Sequence, residues 1–206
     1  LVRRAELRLR GLHFRQRDTS QITAEELTRI DICWSVAVGL SIVDTIRGAD
    51  FQTRNLLLSL RAGEPYRIAR ALAWEAAHTT TAGGPAVRRT ARLLDEAASI
   101  AQRINHPHAL GLVTLCQGIA AYMEGRWKNG RDLSDQAEAI FRDQCTGVTW
   151  ELDTAHSFSN WSMFFLGNVA ELMRRLPILR KEALERGDLY AATNLGTFVG
   201  YLPWLA

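Results

Sequence analysis

Two acid-x-x-His spacings, Glu75/His78 and Asp153/His156, hold the residue types best suited to chemistry. Three residues apart on a helix, a carboxylate and an imidazole share one face. Two Glu-x-x-His motifs joined by two further glutamates build the di-metal centre of some four-helix bundles. Here one acid is an aspartate, and no additional inward glutamate stands between the pairs. His78 also falls at a helix end beside Thr79-Thr80-Thr81, where an imidazole can meet the last carbonyls and the helix dipole. The expectation is a structural role for these four residues and no metal or cofactor. A helical-bundle metal-binding enzyme using them is the alternative.

The thiols give less. Cys33 lies beside Trp34, and Cys116 shares a helical face with Leu112, Ile119 and Ala120, so both read as inert packing. Cys145, in the turn Cys145-Thr146-Gly147, is the most accessible by pattern, yet no base neighbours it. Three widely spaced cysteines without a CxxC pair indicate neither a disulfide framework nor a zinc knuckle, which suits a reducing cytoplasm. No GxSxG elbow, Walker A loop, GxGxxG loop or kinase catalytic loop occurs, so no catalytic residue is assigned.

Composition narrows the partners. The chain has 206 residues, 47% hydrophobic and 23% charged, which excludes wholesale disorder. A formal charge of +3 is too small to demand a polyanion. The basicity is local: Arg3, Arg4, Arg8, Arg10, Arg15 and Arg17 face only Glu6 within the first seventeen residues. This arm could contact nucleic acid; the default is an amphipathic helix over 1–17 that docks Leu7, Leu9, Leu12 and Phe14 and solvates its arginines. No run approaches ~18 apolar residues and no leader pattern is present, so a soluble, unexported chain without a membrane partner is expected. Leu1 in place of methionine and the apolar run Tyr201-Leu202-Pro203-Trp204-Leu205 suggest a segment of a longer protein.

The elements that must position these residues are helices. Strand alternation is nearly absent, whereas helix punctuation abounds. A Thr23-x-x-Glu26 capping box with an Ile22/Leu27 staple opens a helix to about Val43, and another covers about 46–62 with Phe51, Leu56, Leu57 and Leu60 inward. Gly63-Glu64-Pro65, Gly83-Gly84-Pro85 and Asn105-His106-Pro107 each end one helix and start the next. Further helices follow at about 65–81, 85–104, 107–124, 127–143, 149–166, 168–186 and 188–202. Short connections make these antiparallel hairpins: a first at 23–62, repeats at 65–104, 107–143 and 149–186, and the start of another at 188–206.

Gly83, Gly125 and Gly167 lie 42 residues apart, each at a hairpin bend. In 111–141, Gly118, Gly125, Trp127, Gly130 and Ala137 fit the small and aromatic positions of a tetratricopeptide repeat. The neighbouring units fit less well, with Asn160 in place of Gly118 and Pro85 in place of Trp127. The fold expected is an all-α, tetratricopeptide-like solenoid in one domain, its repeats longer than the usual ~34 residues. On the first helices of the hairpins, Asn160, Tyr190, Thr193 and Asn194 are the candidate partner-binding residues of a concave face. Trp74, Trp150, Trp161 and Met163-Phe164-Phe165 read as core.

Particular strings carry a resemblance. Leu7-Arg8-Leu9-Arg10-Gly11-Leu12-His13-Phe14, Arg29-Ile30-Asp31-Ile32-Cys33-Trp34-Ser35, Arg47-Gly48-Ala49-Asp50-Phe51-Gln52, Leu60-Arg61-Ala62-Gly63-Glu64-Pro65-Tyr66, Cys145-Thr146-Gly147-Val148-Thr149-Trp150 through His156, and Glu185-Arg186-Gly187-Asp188-Leu189-Tyr190 through Leu195 are similar to the C-terminal helical region of large bacterial serine/threonine protein kinases. In that family, common in myxobacteria, a catalytic domain and a predicted ATPase module precede tetratricopeptide-like repeats. The resemblance spans nearly the whole chain and implies a non-catalytic, partner-binding region that regulates a kinase in signal transduction. Its catalytic residues would lie upstream of Leu1, so none transfers here. A free-standing repeat adaptor is the further alternative.

Overall fold

A computed structural model describes residues 2–197, which are helical with no strand among them. Ten helices follow in order: α1 Val2–Arg10, α2 Ala24–Val43, α3 Thr45–Ala62, α4 Pro65–Thr80, α5 Val87–Ile104, α6 Pro107–Met123, α7 Trp127–Gln144, α8 Thr149–Phe165, α9 Val169–Glu185 and α10 Leu189–Leu195. The chain divides into two compact units, Leu1–Cys116 and Gln117–Ala206, the division falling inside α6. Among the described residues no helix is long and apolar enough to cross a membrane. The expected end of the last helix near 202 and the apolar run 201–205 lie outside the described residues.

In the first unit the punctuation acts as capping chemistry. Thr23 Oγ1 accepts the Glu26 N–H while Glu26 Oε2 accepts the Thr23 N–H, both at 3.3 Å, closing the box that starts α2. Glu64 accepts the N–H groups of Tyr66 and Arg67 at 2.9 Å, and Pro65 takes the first helical position of α4. One boundary differs from expectation: residues 84–86 form a 3-10 turn, and α5 begins at Val87. α2 packs on α3, α3 on α4, and α4 on α5. Leu56, Leu60, Ile68, Leu72, Leu93 and Ile100 are fully buried there.

The inward face of α3 is more polar than its leucines suggest. Gln52, Thr53, Asn55 and Ser59 are buried, whereas Phe51 is half-buried with the Arg54 guanidinium 4.9 Å above its ring. Gln52 Nε2 donates to the Ala71 carbonyl at 2.8 Å, and Asn55 Nδ2 donates to Gln52 Oε1 at 3.3 Å. Helix-to-backbone bonding of this kind lets amides enter a core.

The basic arm also departs from the expected amphipathic helix. α1 stops at Arg10, and Gly11 turns the chain with φ +72°. Leu7 is buried but Leu9 is 90% exposed, because residues two apart point to opposite sides of a helix. Nor are the arginines simply solvated. Arg3 Nη1 reaches both oxygens of Asp50 at 3.0 Å, Arg61 pairs with Glu6, and Arg10 reaches the Leu60 carbonyl at 3.3 Å. The arm then clasps the end of α3, with Arg17 N–H donating to the Gly63 carbonyl at 2.9 Å.

In the second unit α7 packs on α8, α8 on α9, and α9 on α10, around Met163, Leu172, Leu176, Ala183 and Leu195. The small positions hold the helices close. A Cβ on Gly118 would lie 2.9 Å from Ser134 Oγ and 3.2 Å from Ser134 N; one on Gly130 would lie 2.9 Å from Ser162 Oγ. Trp127 stacks on Phe165 beside the Gly125 bend, centroids 5.0 Å apart.

Adding a branched side chain at such a contact forces the helices apart. Gly118→Val is expected to cost about 2 to 3 kcal/mol of stability, within the usual range for overpacking. Gly84→Ala, where a Cβ meets nothing within 4 Å, should stay within about 0.5 kcal/mol. Urea unfolding of the two variants beside the parent chain measures the difference.

Candidate functional site

Glu75 and His78 belong to the first unit, on the last two turns of α4. Glu75 is fully buried, and neither of its oxygens accepts a hydrogen bond. Two guanidiniums approach the same oxygen, Arg4 Nη1 at 3.7 Å and Arg89 Nη2 at 3.9 Å from Oε1. Burial pushes this carboxyl above the usual range, against the charges of Arg4 and Arg89 and the nearby Gln52 side chain. The His78 ring stands edge-on to Trp74, centroids 5.9 Å apart, and its Nε2 has no hydrogen-bond partner. Burial, and then the charge of Arg4, pushes its pKa down to about 4, so the imidazole is neutral at pH 7. His78 lines a cavity of about 640 Å³ whose walls also include Arg4 and Arg8 of α1, the first turn of α3, and Arg89 of α5.

Asp153 and His156 belong to the second unit, on α8. His156 Nε2 lies 3.4 Å from Glu138 Oε1 on α7, and Glu138 also binds Arg142 at 3.1 Å and Arg175 of α9 at 3.0 Å. The hydrogen bond from His156 and the charges of His156, Arg175 and Arg142 hold Glu138 below the usual range, against burial. Arg175 also reaches Asp135 at 3.1 Å, and Ser159 Oγ donates to the same Asp135 oxygen at 2.6 Å. His156 is therefore part of an ion network joining three helices. The two acid/histidine pairs fall in separate units, and no group of three or more His, Cys, Asp or Glu able to hold a metal occurs among the described residues.

Of the candidate partner-binding residues, the structure brings two together. Tyr190 shares hydrogen bonds with Asn194 and Trp150, and is 40% exposed. Thr193 is exposed on the same helix. Asn160 lies in the interior of the second unit, buried, with neither amide atom hydrogen-bonded. No thiol is activated: burial pushes all three cysteines up, Cys116 most strongly, and the charge of Glu151 adds to the rise at Cys145.

Two features escape a reading by motif. In the first unit Asp31 binds Arg67 and Arg70, and the Arg70 guanidinium lies 4.8 Å over Trp34 and 5.4 Å over Tyr66. Despite burial, which raises it, these two arginines hold Asp31 below its ordinary range. The second is a set of rings. Tyr66 Oη lies 3.1 Å from His108 Nδ1, and the His106 ring centroid is 4.4 Å from that of Tyr66. Tyr66, His108, Trp150 and Tyr190 each stand three residues after a left-handed residue, Gly63, Asn105, Gly147 and Gly187. That offset is the sequence signal that would have found them.

Asp153 supplies a pH test. Burial first, and then Asp188 beside it, raise its pKa to about 7, against His156 and Arg186. A folded pKa above the unfolded value means that the contribution to stability is complete below about pH 4. It is lost as the pH rises through about 7. Asp153→Asn should therefore melt near the parent at pH 4 and roughly 3 °C or more above it at pH 8, read by thermal unfolding across that range. A difference independent of pH contradicts the assignment.

No family model, curated protein or solved structure matches the chain.

Proposed function

We propose that this chain is a tetratricopeptide-like repeat region serving as the non-catalytic, partner-binding and regulatory segment of a bacterial serine/threonine protein kinase. The observation that carries the reading is the spacing of left-handed residues. Gly63, Asn105 and Gly147 form one series and Gly83, Gly125 and Gly167 another, each stepping by 42 residues with positive φ throughout. Bends of positive φ at equal intervals support hairpins built to one plan, and hairpins of one plan would stack into a solenoid with an extended binding surface. Rings three residues after such a bend also pair: Tyr66 with His108, 42 residues on, and Trp150 with Tyr190, which follows the Gly187 bend 40 residues on. Tyr190, Thr193 and Asn194 are then the surface side chains of the concave face, suited to a peptide-like partner.

The kinase assignment rests on the resemblance of the quoted strings to that family's C-terminal region. The two parts are tested by reading the gene's frame outward from this segment and then assaying the encoded protein. A kinase catalytic loop and a P-loop upstream, together with an autophosphorylation rate that changes at least threefold when residues 1–206 are deleted, support a regulatory arm. An unchanged rate overturns it, and a frame without a kinase domain points to the free-standing adaptor.

A further inference from the structure

We infer that the cavity beside His78 is a phosphoryl-binding site, taking a phosphomonoester ligand on Arg4, Arg8 and Arg89. The inference is independent of the repeat reading above and starts from unspent donors. Arg3, Arg10, Arg17, Arg54, Arg61, Arg67 and Arg70 each donate hydrogen bonds within the first unit. The cavity arginines donate none among the described residues. Arg4 and Arg89 come no nearer to Glu75 than 3.7 and 3.9 Å, too far for a hydrogen bond, and Arg8 has no ion pair. Arg4 and Arg8 are four residues apart on α1 and so share a face. Glu75 holds Arg4 and Arg89 around a single oxygen by charge alone, which orients two guanidiniums without consuming their N–H groups.

The acids do not cancel this charge. Asp50, at the cavity wall, is already bound by Arg3 and Arg54 at 3.0 Å each. Glu75 is buried behind the wall and is not part of the lining, so its oxygens do not face a ligand in the cavity. The first turn of α5, which carries Arg89, has no side-chain cap, so the positive end of its dipole adds to the field. His78 Nε2 supplies one more polar atom without a partner.

Three guanidiniums match a dianion better than a carboxylate, because a phosphomonoester carries about −1.5 to −2 charges and three acceptor oxygens that accept paired N–H bonds. The cavity, about 640 Å³, is larger than phosphate alone needs and falls in the range of small-ligand sites. Ile46, Ala49 and Pro85 line part of it and can receive the body that bears the phosphoryl group. A free phosphorylated metabolite and a phosphorylated side chain share this chemistry.

Isothermal titration of the full chain with inorganic phosphate and with O-phosphoserine, at constant ionic strength, tests the site. Binding of either probe at roughly millimolar strength or tighter is expected. Arg8→Ala and Arg89→Ala should each weaken it at least tenfold. Arg8 is exposed and unpaired, so its removal should leave the melting temperature unchanged. Arg47→Ala, at an exposed arginine outside the cavity, should leave binding unchanged. Phosphoserine binding at least tenfold tighter than phosphate supports a phosphomonoester whose body rests on Ile46, Ala49 and Pro85, and a phosphoserine peptide binding tighter still than the free amino acid identifies a phosphorylated side chain as the source; phosphate binding as tightly as phosphoserine overturns the phosphomonoester assignment. Absence of binding by both probes at 20-fold above the millimolar range, or equal affinity in the parent, Arg8→Ala and Arg89→Ala, overturns the proposal.

Discussion

Reversal of the chain within a few residues, at positions that only a left-handed backbone satisfies, is the constraint on which the remaining structure depends. Helices of 16 to 18 residues from α3 to α9 alternate with connections that hold Gly63, Gly83, Asn105, Gly125, Gly147 and Gly167 at positive φ. An L side chain costs roughly 1 kcal/mol or more in that region, so glycine there, with asparagine once, is a backbone requirement. At Gly63 the requirement is doubled: a Cβ would collide with the Arg15 carbonyl, where the basic arm is bound. Once the reversals are set, neighbouring helices within each unit can meet only face to face, and the choice of residues at those faces decides the rest.

The two units meet that demand differently. In the second, glycine and serine let backbones approach, as at Gly118 with Ser134 and Gly130 with Ser162. In the first, α3 and α4 put amides, hydroxyls and Glu75 between them, and Gln52 spends its amide on the Ala71 carbonyl. A polar seam of this kind is costly wherever a group goes unpaired, since a buried polar group without a partner costs on the order of 1–3 kcal/mol. Glu75 bears part of that cost, offset by the charges of Arg4 and Arg89 and by the nearby Gln52 side chain.

Much of this was legible from residue order. Capping chemistry and left-handed positions are local properties, so Thr23, Glu64, Pro65, Asn105 and Pro107 mark helix ends to within a residue or two of where they fall. The small residues Gly118 and Gly130 and the aromatic Trp127 were readable for the same reason. Side-chain pairing over long separations was not. Arg4 with Glu75, Arg3 with Asp50 and Arg175 with Glu138 join residues 37 to 71 apart, and no spacing rule brings them together. The buried face of α3 was misjudged because hydropathy places Phe51 inside, while Gln52 enters by bonding to the Ala71 carbonyl and Asn55 by bonding to Gln52.

Comparison of the carboxylates explains why the candidate site falls where it does. Asp31 is bound by two arginines, and Glu138 by two arginines and a histidine, all at hydrogen-bonding distance, so each has a saturated partner set that fixes helices to one another. Ion pairs of that kind leave neither party free for a ligand. Around Glu75 the stoichiometry is similar but the distances are not: the guanidiniums stand back from the carboxylate, and they open onto a cavity instead of a packed interface. Cations oriented by a buried anion, yet not consumed by it, are pre-organised to bind an anion, because a ligand entering there spends little entropy on ordering them. The same arginine-rich composition therefore yields structural clamps at Asp31 and Glu138 and a receptive surface at Glu75, and the distance between charge and counter-charge separates the two outcomes.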